Sequence, residues 1–129
     1  MNTIWRAVIV LLISAGVAAH ATSQGPQVNT LMRAKLEHSQ KILEAVVTSD
    51  WVGLERNSRE LEQLTNDRRW TVFTYPEYAR HSAAFVRAVQ DLHAAAAQRD
   101  LDKTPKAYVT MTLECVECHR YMARARIAR

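Results

Sequence analysis

The sequence predicts an all-α protein, an antiparallel four-helix bundle, and three observations lead to this fold class. The chain of 129 residues contains only 3 Gly and 3 Pro, which is too few for a fold with many tight turns. Hydrophobic residues make up 48% and charged residues 23%, as in ordinary globular domains. After residue 21, apolar residues recur at the 3.6-residue period of an α-helix in four segments. Four such segments with mostly short connections are typical of a bundle.

Residues 1–21 have the three parts of an export signal. Arg6 supplies the positive charge, an apolar run follows from 7 to 19, and Ala19-His20-Ala21 matches an A-x-A cleavage site. An uncleaved membrane anchor is the alternative, but the run is shorter than the roughly 20 residues that cross a bilayer. We therefore expect a mature, periplasmic domain over residues 22–129 with no membrane span.

The charge balance limits the class of partner. The net charge is +4, and it falls to +3 once Arg6 leaves with the signal. Because nucleic-acid affinity comes largely from many basic contacts to phosphate, we expect no nucleic-acid partner. The sequence also shows no general base or nucleophile, and no metal-ligand set besides the motif near the C-terminus that is described below. We therefore do not expect an enzyme.

The first helix is predicted over 28–48 and the second over 51–66, with Asp50 as the N-cap of the second. The inward face of the first helix is expected to hold Leu31, Met32, Leu36, Leu43, Val46 and Val47. The 3-4-3-4 spacing of the second helix places on one face Trp51, Leu54, Ser58, Leu61 and Thr65.

The connector 67–75 contains three aromatic residues, so we expect it to pack against the helices. The third helix is predicted over 76–99, with Pro76 at its first position. The fourth is predicted to begin with Thr104 as N-cap and Pro105 at the first position, and to reach the C-terminal region. The two apolar stripes are Tyr78, Phe85, Val89, Leu92 and Ala96, then Tyr108, Met111, Cys115, Cys118 and Met122.

The segment from Cys115 to His119 is a C-x-x-C-H motif, the attachment signature of c-type haem. Each thiol can add across one haem vinyl group to form a thioether. Residues at i and i+3 share a helix face, so both sulfurs can reach one edge of a porphyrin. His119 shares that face with Cys115 and is the predicted proximal ligand of the iron. The expected cofactor is therefore one covalently attached haem c.

Other functions of the two cysteines are less well supported. A thioredoxin-like motif needs a βαβ context, and a zinc site needs further ligands at suitable spacing. A disulfide across i and i+3 within a helix has poor geometry. A small exported helical protein with a disulfide and no haem is kept as an alternative.

An exported four-helix chain with C-x-x-C-H in its last helix resembles the cytochrome c′ family, the four-helix-bundle c-type cytochromes. The resemblance covers essentially all of residues 22–129. It implies that a residue early in the first helix faces the distal side of the haem: a methionine ligand in low-spin members, or an apolar residue in high-spin members that bind NO or CO. High-spin members often carry a basic residue four positions after the haem histidine, where this chain has Ala123. The resemblance also implies a homodimer through the first two helices, for which Trp51 and Leu54 are candidate contacts.

Met32 is the predicted distal ligand, because Met1 leaves with the signal and Met111 and Met122 lie on the helix of the haem motif. The alternative is that Met32 only fills the core. We expect a periplasmic electron carrier with an unidentified redox partner protein, or alternatively a gas-binding haemoprotein with a vacant or displaceable distal site. Lys35, on the inward side of the first helix, is expected to extend to solvent, with a haem carboxylate as its alternative partner.

Overall fold

The structure is a computed structural model that describes residues 24–71 and 73–125. Within these residues it consists of four α-helices and one short 3₁₀ helix, with no strand. The helices are α1, Gln24–Thr48; α2, Trp51–Leu64; α3, Pro76–Ala97; and α4, Lys103–Arg124, with the 3₁₀ helix at Arg68–Thr71. This confirms the all-α prediction, and the arrangement is compatible with a four-helix bundle. The predicted signal and its cleavage site lie outside the described residues.

Each predicted helix is present, with small differences at its ends. The first begins at Gln24 rather than at residue 28, and the second and third each end two residues earlier than predicted. None of the helices in the described ranges is long and apolar enough to cross a membrane.

The corner between α1 and α2 is closed without a glycine in the turn. Ser49 adopts a positive φ of 57°, and the N–H of Asp50 donates to the carbonyl of Ala45 at 2.9 Å. The Asp50 carboxylate then accepts from the backbone N–H of Gly53 at 3.0 Å. The predicted N-cap of α2 is confirmed. Gly53 is suited to this position because a Cβ there would collide with the Asp50 carboxylate.

The corner between α3 and α4 is built in the same way and corrects one prediction. Arg99 has a φ of 52°, and Asp100 N–H donates to the carbonyl of Ala95 at 3.1 Å. The Asp100 carboxylate accepts from the N–H groups of Asp102 and Lys103, at 3.0 and 2.8 Å. Because Asp100 already satisfies these first N–H groups, α4 begins at Lys103, and Thr104 is a buried helical residue rather than the N-cap.

A tightly packed group of aliphatic side chains from the first three helices, here called the closed core, holds the fold together. Each member is at most 4% exposed, so burial of apolar surface stabilises this region. The closed core consists of Ile42, Ala45, Leu54, Leu61, Val89, Leu92 and Ala96. The predicted stripe of α3 is buried along its whole length, from Tyr78 to Ala96.

The inward face of α1 differs from the prediction. Leu36, Leu43 and Val47 are 58%, 46% and 74% exposed, whereas Ile42 and Ala45 are buried. Apolar residues cover more than one face of this helix, and periodicity alone does not tell which face its neighbours cover.

The helices pack mainly in chain order: α1 against α2, α2 against α3, and α3 against α4. The contact between α1 and α4 is sparse, and the 3₁₀ helix packs against α1. A space therefore remains beside α4, and the residues of the haem motif lie in it.

Candidate functional site

A cavity, called the α1–α4 cavity below, lies among α1, the 3₁₀ helix, α3 and α4. It holds about 230 Å³ of space. Its walls are mostly apolar and aromatic, with a few polar groups, as in many ligand sites. The residues that line it are Met32, Lys35, Leu36, Ser39, Gln40, Trp70, Tyr78, Ser82, Phe85, Tyr108, Met111, Thr112, Glu114, Cys115, Cys118 and His119.

The structure brings all four predicted site residues to this cavity. Cys115, Cys118 and His119 enter it from α4, one helical turn apart, and Met32 enters from α1. Both cysteines are half-buried and free, and His119 is exposed. Two helices that are distant in the chain thus bring the two cysteines and the histidine of the C-x-x-C-H motif together with the Met32 side chain.

Burial governs the protonation of the motif residues. It raises the pKa of both cysteine thiols, and the nearby Lys35 charge opposes part of that rise. Burial, followed by the same Lys35 charge, lowers the pKa of His119. A lower pKa favours the neutral imidazole, which is the form that binds a metal.

Lys35 does not extend to solvent as expected. Its ammonium lies 3.8 Å from the centre of the Trp70 ring and 3.8 Å from the centre of the Phe85 ring. Burial lowers the pKa of Lys35 to about 8. The expectation failed because two aromatic rings from other elements offer the ammonium a cation–π site inside the cavity, which a helical wheel does not reveal.

The aromatic wall of the cavity joins the connector to α3. Trp70 and Phe85 are buried, with ring centres 5.4 Å apart. The Tyr78 hydroxyl donates to the backbone carbonyl of Trp70 at 2.5 Å, and Phe73 meets the edge of the Tyr78 ring. The packed aromatic connector predicted from the sequence is therefore present. Ser82, which sequence reasoning missed, also lines this wall; its position one turn before Phe85 was the available signal.

The other histidines of the helices have partners outside the cavity. His38 Nδ1 lies 3.2 Å from Asn57 Oδ1, and His93 Nδ1 lies 2.9 Å from Glu62 Oε2. His81 is buried against the ring of Tyr121. In the two described ranges no group of three or more His, Cys, Asp or Glu side chains could hold a metal ion.

One of the two candidate dimer contacts is corrected. Leu54 is 1% exposed and belongs to the closed core, so it cannot contact a second chain, whereas Trp51 is half-buried. The α-helical spacing of Leu54 with Leu61 had already placed it on the inward face of α2.

We compared the chain with known protein families, with characterised proteins and with solved structures, and none of the three comparisons found a match. The residues of the α1–α4 cavity are therefore the evidence for function.

Proposed function

We propose that this chain is a periplasmic c-type cytochrome of the cytochrome c′ type that carries electrons with one covalently attached haem. The observation that carries the proposal is the convergence of Met32, Cys115, Cys118 and His119 on one cavity. The short connections at Ser49–Asp50 and 98–102 support the antiparallel arrangement of neighbouring helices that this type of protein has.

The chemistry of the cavity residues fits a haem group. Two thiols on successive turns can form two thioethers, and a neutral imidazole is available on the same helix. The aromatic wall of Trp70 and Phe85 can pack against a flat macrocycle. The cavity's space of about 230 Å³ is below the roughly 300–1,000 Å³ of most ligand pockets. A haem would therefore extend out of the cavity through its open mouth.

The bound haem would supply a one-electron Fe(III)/Fe(II) couple. Cys115 and Cys118 would hold the cofactor on α4 against dissociation, and His119 would provide a nitrogen ligand. Met32 would provide a soft, neutral sulfur from α1. Two protein ligands from separate helices would suit electron transfer to a partner protein, because the iron would keep the same ligands in both oxidation states.

The first experiment tests covalent attachment. We expect the full chain, produced with haem-attachment machinery, to retain a haem-stained band on a denaturing gel. The C115A/C118A double variant should lose that band because no thioether can form. A wild-type chain that loses its pigment under denaturation would contradict the proposal and would favour the exported helical protein without haem.

The second experiment tests Met32 against a matched control. Met32→Leu keeps the volume but removes the sulfur, so a low-spin ferric absorption spectrum should become high-spin. Met111→Leu, in the same cavity but on the helix of the haem motif, should leave the spectrum unchanged. An unchanged spectrum in Met32→Leu would remove Met32 from the coordination sphere.

A second candidate function is a gas-binding haemoprotein with a vacant or displaceable distal site. The open mouth of the cavity and the partial exposure of Met32 favour it, because a small molecule could enter there. A wild-type five-coordinate, high-spin spectrum that shifts at once with CO or NO would support this function over electron transfer.

A homodimer through the first two helices remains part of the proposal, with different contact residues. Val47 and Val52 are 74% and 73% exposed, and Leu43 is 46% exposed. These side chains replace Leu54 as candidate contacts. Sedimentation of the wild type and of a V47D/V52D variant would test it, and a wild-type monomer would contradict it.

A further inference from the structure

The His38 imidazole belongs to α1 and faces α2, and its contacts differ from those of His93. Its Nδ1 atom lies 3.2 Å from Oδ1 of Asn57 and 3.3 Å from Oε2 of Glu60. Both distances exceed the roughly 2.9–3.0 Å that is typical of an N–H···O bond. His93 Nδ1, in contrast, lies 2.9 Å from Glu62 Oε2. The His38 nitrogen thus faces two oxygen atoms, and neither of them is at the usual distance of a hydrogen bond.

The two oxygens come from one face of α2. Asn57 and Glu60 are three residues apart and therefore lie on neighbouring turns of the same helix face. The Asn57 side chain is 4% exposed, and its Nδ2 donates to the backbone carbonyl of Gly53 at 2.7 Å. Because this bond uses the amide nitrogen within α2, the amide oxygen points towards His38. The helix itself therefore fixes the position of this oxygen.

His38 Nδ1, Asn57 Oδ1 and Glu60 Oε2 are three atoms with lone pairs that share at most one proton at neutral pH. The amide and carboxylate oxygens carry no proton, and Nδ1 of a neutral imidazole carries one or none. A cation stabilises lone pairs that converge in this way. Ligand atoms about 2.0–2.2 Å from a tetrahedral Zn²⁺ lie roughly 3.4 Å apart. The two distances at His38 are close to that separation.

The three atoms can be reached from solvent on one side. The side chains of His38 and Glu60 are 17% and 47% exposed, and both line an open surface groove that also contains Asp67. Within the described residues, Glu60 forms no ion pair with a lysine or an arginine. Its negative charge is therefore available to an ion that enters from the groove, where water can supply a further ligand.

We propose that His38, Asn57 and Glu60 form a surface site for a divalent metal ion of the Zn²⁺ class. The ion joins α1 to α2, with His38 Nδ1, Asn57 Oδ1 and Glu60 Oε2 as protein ligands and water in the fourth position. The imidazole nitrogen selects Zn²⁺ over Mg²⁺ or Ca²⁺, which prefer oxygen ligands alone. The amide is the third ligand, so a pattern of His, Cys, Asp and Glu residues does not reveal the site.

The experiment titrates Zn²⁺ into the C115A/C118A chain by calorimetry, so that the two thiols do not compete for the metal. We expect one ion per chain, and His38→Ala and Glu60→Gln should each weaken its binding by about tenfold or more. Asn57→Ala should weaken it by about threefold, because a neutral amide oxygen is the weakest of the three ligands. His93→Ala, which removes the histidine paired with Glu62, is the matched control and should have no effect.

Hydrogen bonding without a metal is the competing explanation, and His38→Gln separates the two. Its amide N–H groups can still donate to Asn57 and Glu60, but the imidazole nitrogen that binds metal is absent. Without zinc, the midpoint of thermal unfolding should stay near that of the C115A/C118A chain. Saturating zinc should raise the midpoint by a few degrees in that chain and leave it unchanged in His38→Gln, because only the former binds the ion.

Three results would overturn the metal site. These are the lack of stoichiometric zinc binding in the C115A/C118A chain, binding that survives His38→Ala, and an equal loss of affinity in His93→Ala. Mg²⁺ in place of Zn²⁺ should give no binding heat, and equal affinity for the two ions would contradict a nitrogen ligand. The site shares no residue with the α1–α4 cavity. Its outcome is therefore independent of whether the chain carries haem.

Discussion

The closed core and the α1–α4 cavity are formed by the same bundle, yet they are filled in opposite ways. The closed core contains aliphatic side chains that are at most 4% exposed. The cavity instead contains an ammonium, two thiols and an exposed imidazole beside aromatic rings. Because unpaired polar groups oppose folding and buried aliphatic groups favour it, the first region stabilises the protein, whereas the polar groups of the second reduce its stability.

The unequal lengths of the helices explain why the two regions differ. α2 has 14 residues, whereas α1 has 25 and α3 and α4 have 22 each. Beyond the end of α2, the connector packs against α1 instead, and its Trp70 lies beside Lys35. The helices pack on each other around the closed core, but a short aromatic segment and an open space replace one of them at the cavity.

The largest expected effect is the unequal loss in the free energy of unfolding when a leucine is replaced by alanine in each of the two regions. Leu92→Ala, in the closed core, should lower the free energy of unfolding by about 2–5 kcal/mol, since it leaves a cavity at a fully buried site. Leu36→Ala, at the rim of the α1–α4 cavity, should change it by less than about 0.5 kcal/mol. Chemical denaturation measures both, and similar losses would mean that the two regions do not differ in this way.

The next effect is a pH dependence specific to the cavity. The pKa of Lys35 is lowered from 10.5 to about 8, so the unfolded chain binds more protons between these pH values. The charged lysine therefore costs stability in full below pH 8, and this cost disappears as the pH rises towards 10.5.

Denaturation of the haem-free chain tests this dependence. Relative to Lys35→Met, the free energy of unfolding of the wild type should rise by roughly 1–3 kcal/mol between pH 8 and 10.5. Using the difference between the two chains removes most of the contribution of the cysteines and tyrosines that titrate in the same range. The exposed Lys41→Met serves as the control. Parallel stability curves for wild type and Lys35→Met would show that the ammonium is solvated.

The smallest effect concerns the two corners beside the closed core. Ser49→Gly and Arg99→Gly should each raise the free energy of unfolding by about 0.5–1 kcal/mol, because glycine adopts a positive φ without steric cost. Ala94→Gly, inside α3, should lower it by about 1 kcal/mol. If the protein binds the proposed haem, its absorption spectrum should not change in any of the three variants. A loss of stability in Ser49→Gly or Arg99→Gly would show that the positive φ is not strained.

Much of the fold could be predicted from local chemistry. The scarcity of Gly and Pro predicted long helices, and the Asp50 cap marked the start of α2. The start of α4 was misplaced, because Thr104-Pro105 has the local pattern of a helix start while the Asp100 carboxylate already satisfies the free N–H groups before it. Caps of this kind depend on which of several polar side chains accepts hydrogen bonds from the free backbone N–H groups, and the residue types alone do not decide that.

The candidate site was predictable to the extent that it lies within one helix. The spacing of Cys115, Cys118 and His119 is local, so a helical period places them on one face before any packing is known. The face that α1 turns inward depends on its neighbours, which is why Leu36 was expected inside and is exposed.

By itself, the sequence determined the number and type of the elements and the grouping of the haem-motif residues, because hydrogen bonding along a helix involves only near neighbours in the chain. Only the tertiary structure decided that α1 brings Met32 to the same cavity and that Trp70 and Phe85 hold the Lys35 ammonium inside it. Those contacts join segments more than 30 residues apart, and their geometry follows from how whole helix faces pack rather than from any local pattern.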